Sequence, residues 1–525
     1  MRSRSLLLVP LLAAAPAAAQ NLPPRAGPPP DLDRYIARVM RTFTVPGLAV
    51  AIVKDGRVVV TRGYGVRTLG EPAPVDARTL FGIASNTKAF TATALALLVE
   101  EGKVEWDAPV IRYLPSFAMY DPYVTRELTV RDLLVHRSGL GLGAGDLLWW
   151  PASTYDRAEI VRRLRYIKPA TSFRSAYAYD NVLYSVAGEV IRAVSGQTWE
   201  DFVSTRILAR VGMSGSNVRH SDAARGGNVA TPHAEVGGTV RPVAPFASDN
   251  VNPAGGINSS AADMAKWVMV QLDSGRLADG SRLFPPGETR QLWRMVTPLP
   301  IGDAVPGLAH LRPNFAGYAL GLNVTDYRGR MMVSHTGGLP GYVSKVTMLP
   351  ELRLGVVVLT NQESGAAFNA ITYHVLDHYL GVPPVDYLGI YARSAARVDS
   401  LVVVAARTAA TTRDSVSGPS LPLARYAGTY TDPWYGEIAV TLEGGRLVMR
   451  FSHTPSLTGD LEHWQHDTFI ARWRDRELRA DAYVTFALNP DGSIDQAKMA
   501  AVSPATDFSF DFQDLLLTPV RRKVE

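Results

Sequence analysis

The sequence predicts a mixed α/β protein of the α+β type: an antiparallel sheet flanked by helices, followed by a small all-β domain. Three observations predict it. Gly47–Val53 and Val58–Gly63 are apolar runs joined by Lys54-Asp55-Gly56-Arg57, an Asp-Gly hairpin signal. Helical patterning follows, and strands return only at 319–325, 330–334, 342–349 and 353–360, so the sheet's first and last strands lie far apart in sequence. From Tyr426 onward, short apolar strands alternate with turns such as Gly444-Gly445 and Asp491-Gly492. That stretch of about 100 residues reads as a separate sandwich or barrel.

In chain order, Asp31 or Asp33 caps a helix carrying Tyr35, Ile36, Val39 and Met40. After the hairpin, a helix runs from about Ser85 to Glu101 and closes on Gly102 as a left-handed cap. Further helices are expected near 128–136, 183–194 and 260–273. Residues 391–412, rich in Ala, Arg and Val, read as a helical connector, and Ser415–Pro422 as a linker. A length of 525 residues calls for two or three domains, and 46% hydrophobic residues supply their cores.

The chain has no cysteine, which excludes disulfides, thiolate zinc sites, cysteine nucleophiles and thiolate-held iron–sulfur clusters. The formal charge of +5 is scattered, and no basic stripe interleaves with aromatics, so nucleic acid is not an expected partner. At the start, Arg2 and Arg4 precede an apolar run from Leu6 to Ala15, then Pro16 and Ala17-Ala18-Ala19. This is a secretory-signal pattern, too short to span a bilayer. The expectation is a periplasmic or secreted protein cleaved after Ala19, without a stable membrane anchor and with a mature charge of +3.

Of 54 basic residues only 8 are Lys, and Lys88 alone lies three residues after a Ser. In Ser85-Asn86-Thr87-Lys88 the i, i+3 spacing brings hydroxyl and amine to one helical face, at a helix start that favours developing negative charge. Lys88 can take the Ser85 proton only if burial or nearby cations depress its pKa. Alone, the pair reads equally as a helix cap and a surface Lys. Tyr179-Asp180-Asn181 offers a phenol to share or relay a proton and an amide to orient Lys88, or it is an ordinary loop. His335-Thr336-Gly337-Gly338 follows an apolar strand and can set the Gly338 N–H opposite that of Ser85 as an oxyanion pair, or it is a strand-end turn.

Taken together and in this order, Ser-x-x-Lys, Tyr-x-Asn and His-Thr-Gly resemble the active-site motifs of the serine β-lactamase and penicillin-binding-protein superfamily. The Tyr-x-Asn form is similar to the class C branch, with family VIII esterases, D-aminopeptidases and D-Ala-D-Ala carboxypeptidases. Val130–Leu140 (with Leu133, Leu134, His136, Ser138 and Gly139) and Pro253–Ser260 with Asp263-Met264 resemble two further family segments. The resemblance implies a β-lactamase/transpeptidase-like fold with a helical subdomain over 31–385. It implies Ser85 as acylated nucleophile, Lys88 and Tyr179 sharing the general-base and general-acid work, and Asn181 as their positioner. The Ser85 and Gly338 amides would form the oxyanion hole, with His335, Thr336 and Gly337 on the substrate-binding strand. No cofactor and no metal is implied, and His136 is expected to be structural.

Many members of the superfamily carry Lys where this chain has His335, and a neutral His forfeits the steady anchor for a substrate carboxylate. That departure points toward an esterase or a D-amino-acid peptidase or amidase acting on a small ester, amide or peptide. β-Lactamase or D-Ala-D-Ala carboxypeptidase activity is the alternative, and a penicillin-binding or sensor protein without turnover is the non-enzymatic one. Leu421–Tyr430 and Asp432–Gly436 resemble the opening of the lipocalin-like β domain that follows such hydrolases, a wall for the active-site mouth or a binder of a small apolar ligand. The resulting plan is an export signal (1–19), a flexible lead-in (20–30), a hydrolase domain (31–385), a connector (386–420) and the β domain (421–525). A Gly-x-Ser-x-Gly elbow is missing, and the pairs His374/His378 and His463/His466 do not form His-Glu-x-x-His. Specificity is expected to depend on loops such as Gly141–Pro151, with Trp149 and Trp150.

Overall fold

Strand β1 (Gly47–Lys54) alternates Leu48, Val50 and Ile52 with Ala49, Ala51 and Val53, and all six are buried. A strand apolar on both faces needs cover on both. In the computed structural model, which describes residues 27–520, helices α1 (Leu32–Thr42) and α5 (Gly365–Leu380) cover the first set. The second set faces α2 (Lys88–Glu100), α4 (Ala261–Leu272) and the largely helical stretch that contains α3 (Val182–Ser195). The sheet is completed by β2 (Arg57–Gly65), β3 (Thr297–Pro298), β4 (Ala316–Tyr318), β5 (Asn323–Tyr327), β6 (Arg330–Leu339), β7 (Tyr342–Leu349) and β8 (Leu354–Thr360). Its order is β2-β1-β8-β7-β6-β5-β4-β3, antiparallel throughout. The sheet's first strand in sequence thus pairs with its last, Leu48 opposite Thr360. The 1–19 segment and the lead-in up to residue 26 lie outside the described residues.

The β1–β2 turn has the expected chemistry, with Asp55 and Gly56 both at positive φ (51° and 73°) as a two-residue hairpin loop requires. Three expectations shift. Residues 128–136 form only a 3₁₀ turn at Asp132–Leu134, because the Asp132 carboxylate accepts from Thr129 and from Arg137 and Arg174, holding a turn rather than a helix. The strand expected at 319–325 begins only at Asn323, because residues 319–322 form the turn between β4 and β5, with Gly321 at φ 77°. A Cβ there would lie 2.7 Å from the Lys88 carbonyl oxygen, so the hairpin tip needs Gly to pack on the start of α2. Asp31 stands at the cap of α1 but bonds His374 (3.1 Å) instead of the helix.

Helix α6 (Tyr387–Thr412) leads from the first domain with only Tyr387 and Leu388 buried. Strands β9 (Gly428–Asp432), β10 (Gly436–Glu443), β11 (Arg446–Phe451), β12 (Thr458–Gln465), β13 (Thr468–Trp473), β14 (Ala482–Leu488), β15 (Ile494–Ala501) and β16 (Leu516–Pro519) then close a barrel in sequence order. Closure removes both sheet edges. Rings of Tyr426, Tyr430, Phe451, Phe469, Trp473 and Phe512 are buried in its core. The barrel is bonded to the first domain: Arg163 donates to the Trp434 carbonyl (2.9 Å), the Thr154 amide to the His453 carbonyl (2.8 Å), and Arg479 pairs through both nitrogens with Glu363 (2.7 Å each).

Candidate active site

Ser85 lies not in α2 but on a 3₁₀ turn, Ala84–Thr87, immediately before it. Ala84 has φ 49°, a left-handed conformation costly for any residue with a Cβ. It bends the chain from the short strand Phe81–Gly82 into the turn. From the other side β6 approaches so closely that a Cβ on Gly337 would meet the Ile83 carbonyl oxygen at 2.2 Å. Ser344 on β7 ties down the same turn, donating to the Ile83 carbonyl (2.8 Å) and accepting from the Asn86 amide (2.8 Å). The Gly of the His-Thr-Gly motif is therefore needed for contact with the serine turn.

Lys88 is wholly buried. Its Nζ donates to Ser85 Oγ (3.0 Å), to Asn181 Oδ1 (2.8 Å) and to the Ala254 carbonyl (3.0 Å), and lies 4.8 Å from the centre of the Tyr179 ring. Burial lowers its pKa to about 7, against the pull of Asp146. Tyr179 is driven the opposite way, well above a free phenol, because burial disfavours phenolate, while a hydrogen bond with Ser85 partly offsets this. Asn181, at the start of α3, turns its amide nitrogen to Asp146 Oδ2 (2.9 Å) and so joins the lysine to a buried carboxylate.

Sequence reasoning missed that carboxylate. Asp146 also accepts from Trp149 Nε1 (2.8 Å) and from Ser509 Oγ (2.8 Å). Burial raises its pKa to about 7, while these three donors and Lys88 favour the ionised form. Ser509 belongs to the β domain, and its neighbour Asp511 accepts from the Gly145 and Leu147 amides (2.6 and 3.0 Å). Phe508, on the same loop, packs edge-on against Tyr179 with centroids 6.0 Å apart. The β domain thus forms part of the wall behind the lysine. The sole sequence signal for Asp146 was its place in the loop flagged for its tryptophans; Ser509 had none.

His335 is buried, and its Nδ1 lies 2.6 Å from the Thr336 carbonyl oxygen, which can only accept, so the proton sits on Nδ1. Nε2 is then the acceptor for the Tyr318 hydroxyl at 2.8 Å. Burial and Lys88 push His335 down to about 3, so it is neutral. Its partner is Tyr318, which sequence reasoning did not single out, and the Tyr179 ring lies 6.3 Å away. Beyond Ser334, the last β6 residue paired with β5, Thr336 and Gly338 are exposed toward a cavity of about 300 Å3 that Ser85, Tyr179, Asn181, His335 and Phe508 also line. Six of the eight site residues expected from the sequence line this cleft; Lys88 lies buried behind Ser85, and Gly337 acts through backbone packing. His136 accepts from the Asp180 amide at 3.0 Å and lies against the rings of Tyr179 and Tyr318 (4.2 and 4.4 Å), a packing role. Among the described residues, no group of three or more His, Asp or Glu is placed to hold a metal.

A family model described as Beta-lactamase matches residues 32–402, and one described as a domain of unknown function (DUF3471) matches 412–519. The chain is 29% identical over 493 residues to an unguisins hydrolase of Aspergillus violaceofuscus, covering 88% of this chain and 86% of that one. It is 25% identical over 348 residues to protein flp of Staphylococcus aureus, covering 64% and 63%. The fold is shared with the octameric penicillin-binding protein homologue from Pyrococcus abyssi, at TM-score 0.58 and 22% identity over 93% of this chain and 99% of that one. A D-stereospecific amidohydrolase from Streptomyces sp. also shares it, at TM-score 0.51 and 22% identity, with 64% and 95% covered.

Proposed function

This chain belongs to the Beta-lactamase family, a family of hydrolases, and we propose that it is a serine hydrolase that forms an acyl-enzyme at Ser85 with esters or amides. The observation that carries this reading is the Lys88 ammonium nitrogen, buried and 3.0 Å from Ser85 Oγ, with its pKa lowered to about 7. Near neutral pH a large fraction of Lys88 is unprotonated and can take the serine proton as Oγ attacks the carbonyl carbon. Tyr179 stays protonated, so it acts as the donor: it gives its proton to the leaving oxygen or nitrogen as that bond breaks and regains one from Lys88. Water then enters by the same route in reverse and releases the acid. The Ser85 and Gly338 amides hold the oxyanion. Asp146, through Asn181, positions Lys88.

His335 supports esters and neutral amides over substrates that need a carboxylate anchor. It is uncharged and held between Tyr318 and the Thr336 carbonyl, whereas a β-lactamase or carboxypeptidase reading calls for a cation there. Labelling with a fluorophosphonate probe tests the nucleophile, and it is expected to vanish in Ser85→Ala. Labelling that survives this change overturns the assignment. Turnover of a short p-nitrophenyl ester, D-Ala-p-nitroanilide and nitrocefin is expected to be led by one of the first two; a lead for nitrocefin overturns the reading of His335. Export with cleavage after Ala19 belongs to the same proposal, and an exported protein whose sequence begins at Gln20 is the expected result.

A further inference from the structure

A second cavity, of about 580 Å3, adjoins the catalytic one, and Trp150, Gly338 and Asp507 line both. It lies between the two domains. Trp150, Phe246, Leu339 and Val343 come from the hydrolase side, and Leu478 and Phe510 from the β domain. It opens at the Gly338 end of β6, where a substrate's carbonyl oxygen would be held. Its charged lining is one-sided: Glu363, Asp475, Glu477 and Asp507 against Arg479. Arg479 is committed to Glu363, and Glu477 accepts from Arg241 (2.8 Å), which lies outside the lining. Asp475 and Asp507 use one oxygen each on nearby backbone amides, Glu477 and Ser509. Apolar walls with a net negative rim favour an apolar group ending in a cation and repel one ending in an anion.

We propose that this second chamber is a specificity site for the substrate's distal part, accepting a bulky aryl or alkyl arm that is neutral or amine-terminated and rejecting a carboxylate-terminated one. This rests on the serine-hydrolase reading for its place in catalysis, but ligand binding in the chamber does not need Ser85. The β domain is in this view half of the substrate site. Each methylene moved from water onto such walls is worth about 4-fold in affinity, so a four-atom arm with a ring is well separated from acetyl.

The test uses the Ser85→Ala protein and calorimetry with 4-phenylbutylamine and 4-phenylbutyrate. The amine is expected to bind at least about tenfold more tightly, with the preference narrowed in Asp507→Asn. Leu478→Asp is expected to move an aspartate into the apolar wall and weaken binding of the neutral 4-phenylbutanol, whereas Leu478→Met retains it. Equal binding of amine and carboxylate, or a neutral ligand indifferent to Leu478→Asp, overturns the proposal. With the wild-type protein, kcat/KM for p-nitrophenyl 4-phenylbutyrate over that for the acetate is expected to exceed about 10 and to collapse in Leu478→Asp. A wild-type protein that takes no fluorophosphonate label, or label that survives Ser85→Ala, with the amine preference intact would sink the nucleophile and leave the chamber standing. The converse pattern would sink the chamber alone.

Discussion

Lys88 and Lys345 are both buried, and burial brings each to about 7. Lys88 sits beside the cavity that Ser85 lines; Lys345 is on β7, directly opposite Thr336 of β6, but its side chain enters the layer under α5. Lys345 Nζ donates to Asn369 Oδ1 (2.6 Å) and lies over the rings of Tyr373 and Phe368 at 4.7 and 5.6 Å. Lys88 has a hydroxyl, an amide and a carbonyl around its nitrogen and a carboxylate one residue further on. The same desolvation therefore acts on both, and the difference lies in the company each keeps. A depressed lysine pKa marks a candidate for chemistry only where a group that can react lies within reach.

The sharpest way to break this comparison is to remove each amine. Lys88→Ala is expected to lower the acylation rate by on the order of 10²-fold or more, the usual cost of losing a general base. Tyr179→Phe is expected to cost a similar factor, through the leaving-group proton. Stopped-flow acylation with a p-nitrophenyl ester reads both, and near-wild-type rates in the pair would place the proton transfers elsewhere.

Asp146 tests whether the company of Lys88 also sets its charge. The acid raises the lysine's pKa, so Asp146→Asn should lower it and move the acidic limb of kcat/KM to lower pH, with kcat reduced about tenfold as Asn181 loses its anchor. Two further buried acids, Asp180 and Asp511, crowd Asp146 and are themselves held well above the usual carboxylate range by burial. A limb that does not move would show that Asp146 is not the charge that Lys88 feels. Ser509→Ala should move the limb in the same direction by less, because losing one donor leaves Asp146 more readily protonated. That a change in the β domain alters the catalytic pH profile at all is the discriminating observation.

Much of the lysine comparison was legible in the sequence and part of it was not. Ser85 and Lys88 announce themselves because helical spacing is local, and β1 and β8 because apolar runs mark strands buried on both faces. Tyr179, Asn181 and the His335–Gly338 strand were legible only as a set in order. Asp146 and Ser509 were not, since a loop acid and a loop serine 363 residues apart meet only through domain packing. The helix expected over 128–136 failed for a related reason: apolar periodicity was present, but the Asp132 carboxylate found Thr129 and two arginines and stabilised a turn.

Lys345 supplies the smallest expected effect and the cleanest control. Lys345→Met keeps the length of the side chain against the Tyr373 and Phe368 rings and removes the buried amine, a kind of replacement that is often neutral or stabilising. Asn369 is only partly buried, so water can replace its lost donor. Activity is expected to stay within about twofold of wild type. The stability change carries a pH signature. The folded pKa of Lys345 lies below its ordinary 10.5, so between about 7 and 10.5 the unfolded chain holds a proton that the folded chain lacks. Wild-type stability therefore gains up to about 1.4 kcal/mol per pH unit from this residue as pH rises through that window. Lys345→Met removes that slope, so its advantage over wild type is greatest near pH 6 and fades toward pH 10. Urea unfolding at the two pH values measures it, and a tenfold fall in kcat/KM without loss of stability would mean that the second lysine also has chemistry to do.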